Sequence, residues 1–63
     1  MSNDDNIIIR RAYAEASLAA KEKGLSGLRA RNAVLATAAA VGTRILGRTI
    51  TSADVERLMQ QAD

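Results

Sequence analysis

The sequence contains no cysteine, histidine or proline, and no phenylalanine or tryptophan. Without cysteine there is no disulfide, and without cysteine or histidine the usual zinc ligands are missing. The same two absences remove the thiol nucleophile and the imidazole base on which much enzyme chemistry depends. Without proline, nothing in the chain forbids long uninterrupted helices. With Tyr13 as the only aromatic residue, the core has to be built from aliphatic side chains. The longest uncharged stretch, Asn32–Thr43, has twelve residues, against the ~20 that a membrane span needs. The opening Met-Ser-Asn-Asp-Asp-Asn is polar and acidic. It lacks the basic start and apolar run of a secretory leader, so the expected location is cytoplasmic.

What remains is 63 residues, of which thirteen are alanine. Five Ile, six Leu, three Val and two Met supply the larger apolar bulk with Tyr13. A domain of this size buries only ~60% of its unfolded surface, so close helix packing or a second chain is expected to complete the core. Nine Lys and Arg against seven Asp and Glu give a net charge of +2. Residues 1–31 carry six bases and four acids. This mild basicity is compatible with nucleic acid without requiring it.

Abundant alanine and scarce glycine favour helix, and the spacing predicts three. The first runs from about residue 4 to 23, with Ser2 or Asn3 as cap and Asp4 and Asp5 favoured in its first turn. Ile9, Tyr13, Ala16 and Ala20 form its buried stripe. Gly24 ends it in a left-handed turn, with Leu25 folding back in a Schellman closure. The second runs from about 27 to 46, capped by Ser26. Ala30, Val34, Ala38, Val41 and Ile45 share its inner face, and Gly42 marks either a close crossing or a break. The third runs from about 52 to 62. Thr51 and Asp54 have capping-box spacing, Ile50 and Val55 form a hydrophobic staple, and Val55, Leu58, Met59 and Ala62 form the buried face. The expected fold is all-α, a single compact three-helix bundle over residues 1–63.

Catalytic machinery is not visible. Asp4 and Asp5 read as a helix start. Gly24-Leu25-Ser26-Gly27 lacks the Gly-Lys-Ser/Thr ending of a phosphate-binding loop. No enzyme activity, metal or cofactor is expected.

Residues 16–35 resemble a helix-turn-helix. Ala20 stands four before the turn Gly24, Leu25 follows it, Ser26 starts the second helix, and Ala30 and Ala33 face inward. The resemblance implies a helix-turn-helix-like regulator in which Ser26, Arg29, Arg31 and Asn32 lie toward DNA, since Arg reads guanine edges and Asn reads adenine. Lys21, Lys23 and Arg48 are the candidates for backbone phosphates. Lys23, Gly27 and Leu28 depart from the motif, which prefers an apolar residue at the first position and contact residues at the other two.

A second reading starts from the aliphatic residues in excess of the core stripes: Ile7, Ile8, Leu18, Leu28, Leu35 and Leu46. A surface patch of such residues marks a partner site. Ile7, Ile8, Leu28 and Leu35 are the candidate contact set. The expected function is therefore a small gene-regulatory protein that binds DNA or a transcription factor. The alternative is an antiactivator or adaptor that masks a regulator without touching DNA. A homodimer is compatible with both.

Overall fold

A computed structural model describes residues 3–61 of the chain. Three helices follow one another: α1 (Asn3–Glu22), α2 (Gly27–Leu46) and α3 (Ser52–Gln60). The Ile7-Ile8-Ile9 run, β-branched as it is, lies inside α1. Tertiary packing outweighs the strand preference of those three residues. The Ser2 cap and the Ala62 core position fall outside the described residues.

The turn between α1 and α2 closes as its residues dictate. Gly24 has φ +78°, a left-handed conformation that only glycine adopts freely. The Leu25 N–H donates to the Ala20 carbonyl at 3.0 Å and the Gly24 N–H to the Lys21 carbonyl at 3.0 Å. This is the paired bonding of a Schellman motif, and Leu25 packs on Ala16, Ala20 and Val34 to complete it. Entry into α2 is weaker. Ser26 has the extended backbone of an N-cap, but its side chain makes no capping hydrogen bond. The expected side-chain cap is thus absent, and the first N–H groups of α2 face solvent.

α1 and α2 lie antiparallel along their whole length, as an αα-hairpin. Near the turn Ala16 and Ala20 meet Val34. At the far end Gly42 sits against Ile9. Between them Ala12, Ala38 and Ala39 fill the seam, all buried. α3 lies across one side of the far half, where Val55 and Leu58 cover Ile9, Leu35 and Ala39. Tyr13, half-buried, packs against both the main core and the smaller cluster near the turn.

α2 runs unbroken through Gly42 to Leu46 and ends at Gly47, whose N–H reaches the Thr43 carbonyl at 3.0 Å. The following loop is clasped by Thr43. Its hydroxyl accepts from the Ile50 N–H at 2.8 Å and donates to the Ile50 carbonyl at 3.1 Å. Ile50 is thereby pressed into the core beside Gly42 and Val55. The capping box of α3 forms as its spacing predicts. The Asp54 N–H donates to the Thr51 hydroxyl at 3.1 Å, and the Thr51 N–H donates to the Asp54 carboxylate at 3.0 Å. These bonds, with Arg57 and Arg48 nearby, hold the Asp54 carboxyl below the usual carboxylate range.

Two outcomes are expected. A Cβ at Gly42 would lie 3.5 Å from Cγ1 of Ile9 and of Ile50, an ordinary contact distance. Gly42→Ala should therefore stabilise the fold by about 0.5–1 kcal/mol through helix propensity, raising the thermal midpoint. Gly42→Leu should lower it, because the added atoms have only Ile9 and Ile50 to displace. Asp54 gives a pH signature. Its lowered folded-state pKa contributes stability that is fully present above the unfolded value of about 4 and is lost as pH falls through the folded value. The difference in thermal midpoint between wild type and Asp54→Asn should be largest near pH 7 and shrink as pH falls below about 4.

Candidate functional site

The residues singled out by the helix-turn-helix pattern gather at the turn end of the hairpin. Ser26, Arg29, Asn32, Lys21 and Lys23 are all exposed there. Lys21, Lys23 and Arg29 make no ion pair among the described residues. Gly27 beside them has φ +64°, so its place in the turn is a backbone requirement. The other two basic candidates are engaged within the fold. Arg31 is held by the Glu56 carboxylate of α3. Arg48 donates to Asp5 of α1 at 2.7 Å. Each is about half exposed and so remains in part accessible, yet each already has a counter-charge. The outward ridge of α2 steps from Arg29 and Asn32 to Ala36 and Ala40, all exposed. Only the first two carry groups that read base edges.

The aliphatic candidates separate into three places. Ile7 is 57% exposed and lines, with Ile8, Arg11, Ala12, Glu15, Val41 and Ile45, a groove of about 160 Å³ between α1 and α2. The groove opens on the side of the hairpin that α3 leaves bare. Leu18 is 60% exposed, farther along the outside of α1. Leu28 is 72% exposed at the turn end. The fourth candidate is corrected. Leu35 is 8% exposed and packs in the main core with Ile9, Ala39 and Leu58, so it is no contact residue. Leu46 is half-buried against the same core.

Ile45 takes the place that Leu35 loses. It was expected on the buried stripe of α2, yet it is 57% exposed. It lines the groove beside Ile7, Ile8, Arg11 and Ala12, on the flank of the hairpin where no α3 residue covers it. Helical periodicity gives the side on which a residue points and not whether a third element arrives to cover it. The Arg11–Glu15 pair in the groove wall was likewise not singled out. Its only signal in the sequence is the i, i+4 spacing beside Ile7 and Leu18.

Among the described residues no group of three or more acids is placed to hold a metal ion. No helix among them is long and apolar enough to cross a membrane. Comparison with protein-family models, with curated proteins and with solved structures finds no match.

Proposed function

We propose that this chain is a small gene-regulatory interaction module that acts by docking onto an amphipathic helix of a partner chain. The observation that carries the reading is the bare side of the α1–α2 hairpin, where Ile7 and Ile45 stand more than half exposed around an apolar groove. Large aliphatic side chains cost free energy when left in water, and a groove flanked by two of them suits the i, i+3, i+4 anchors of a partner helix. Arg11 and Glu15 rim the groove and would set the orientation of what docks there.

Binding to DNA is the second reading, and the turn end favours it. Lys21, Lys23 and Arg29 make no ion pair among the described residues, and the first N–H groups of α2 lack a side-chain cap, an arrangement that attracts phosphate. Three observations weigh against it as the main activity. Arg31 and Arg48 are neutralised by acids of the same chain. Leu28 stands exposed among the would-be contacts. α1 also lies along the full length of α2, so a DNA groove would meet only the outer ridge, where alanines follow Asn32.

The two readings separate by mutation. Affinity capture with Ile45→Asp should lose the protein partner of the wild type while keeping wild-type helicity. The triple variant Lys21→Ala, Lys23→Ala, Arg29→Ala should keep that partner. A duplex-DNA titration at ~50 mM salt should show no binding. Tight, steeply salt-dependent DNA binding that is lost in the triple variant and kept in Ile45→Asp would reverse the assignment.

A further inference from the structure

The outer line of α1 has a pattern that the groove alone does not explain. Ile7, Arg11, Ala14 and Leu18 succeed one another at steps of 4, 3 and 4, which places them on one line down the helix. Ala16 of the buried seam lies nine residues, or two and a half turns, beyond Ile7 and so points the opposite way. Ile7, Arg11, Ala14, Glu15 and Leu18 are all exposed. Arg11 and Glu15 make no ion pair within the described chain, and both stand on the flank that rims the groove.

With Glu15 beside that line, Ile7, Arg11, Glu15 and Leu18 keep the same form read in either direction: aliphatic, one charge, the opposite charge, aliphatic. Set antiparallel to itself, it is complementary. Ile7 falls opposite Leu18 of the second copy about an axis level with residues 12 and 13, and Arg11 falls opposite Glu15 about an axis within half a residue of that one. The two registers therefore differ by one residue, about 1.5 Å along the helix. A two-fold axis between antiparallel helices brings the same flank of each together, so the two Arg11–Glu15 pairs form on the flank where both residues stand. Ala14, near the centre, leaves room for the backbones to approach.

We propose that the outer face of α1 binds the same face of a second copy of this chain, antiparallel and about a two-fold axis. Leu18 of each protomer seats against Ile7 of the other, beside the mouth of the groove that Ile8, Val41 and Ile45 line. The contact is isologous, so each pair occurs twice. The inference rests on the docking reading and names the partner helix as the chain's own α1. The charges of this face are complementary to those of a second copy, which favours self-association as the occupant.

Sedimentation equilibrium between 1 μM and 1 mM tests it, with far-UV circular dichroism as the check on folding. The wild type should show twice the chain mass at the upper end. Leu18→Asp should return it to the monomer with helicity kept, since Leu18 is exposed in the protomer. Arg11→Glu and Glu15→Arg should each weaken the dimer at least several-fold by setting like charges against each other. The double variant should recover to within about three-fold of the wild type. A wild type that remains monomeric at 1 mM overturns the inference, as does a dimer indifferent to Leu18→Asp and to both charge reversals. In either case the docking reading still stands if Ile45→Asp abolishes capture of a different protein. It falls independently if that variant captures as the wild type does.

Discussion

Alanine methyls and the missing Cβ of Gly42 along the seam of α1 and α2 set how near the two backbones lie, and the rest of the molecule is arranged around that approach. Ala12, Ala16 and Ala20 on one helix face Val34, Ala38, Ala39 and Gly42 on the other. Small residues buy proximity, with many weak contacts between backbones, at the loss of the apolar area that larger side chains would bury. A hairpin with so thin a seam does not hold a core by itself. The missing bulk arrives from outside it, as Ile50, Val55 and Leu58 from the last third of the chain.

That delivery depends on polar anchors at the edge of the core. Ile50 sits in a loop without regular structure, where its N–H and carbonyl need partners as it is drawn inward. The Thr43 hydroxyl satisfies both. The Thr51–Asp54 box then starts α3 at once, so that Val55 follows Ile50 into the same pocket of the core. α3 reaches across only one side of the hairpin. Its Glu56 and the acidic start of α1 draw in Arg31 and Arg48, while Lys21, Lys23 and Arg29 at the turn end, and Arg10, Arg11 and Arg44 farther along the hairpin, stay exposed. The opposite side keeps its aliphatic residues in the open.

The parts of this arrangement that are local in sequence were legible there. Gly24 with Leu25, and Thr51 with Asp54, announce a helix end and a helix start through hydrogen bonds spanning at most five residues. The buried stripes of Ile9, Ala16 and Ala20, and of Val34 and Ala38, follow from the 3.6-residue repeat alone. What could not be read depends on distance along the chain. Arg31 meets an acid 25 residues away and Arg48 one 43 residues away, so neither pairing is written in a local pattern. Leu35 and Ile45 exchange the roles expected of them for the same reason. Both point toward packing surfaces, but α3 arrives over Leu35, whereas Ile45 lines the groove on the side without α3. Ser26 occupies the cap position, and whether its hydroxyl turns onto the helix is a rotamer choice that residue type leaves open.

The Thr43 clasp has a consequence for the order in which the molecule opens. α3 and its loop are tethered to the hairpin at few points, chiefly Ile50, Val55, Leu58 and the Arg31–Glu56 pair, while α1 and α2 adjoin along some twenty residues each. The segment from Ile50 to Gln60 is therefore the expected unit of sub-global opening, and its amides should exchange with solvent deuterium ahead of those in the seam. When it swings away, it uncovers Ile9 and Leu35 together. For a moment the hairpin then has an unprotected aliphatic surface on both of its sides, and in that state the chain is most exposed to proteases and to irregular association with its neighbours.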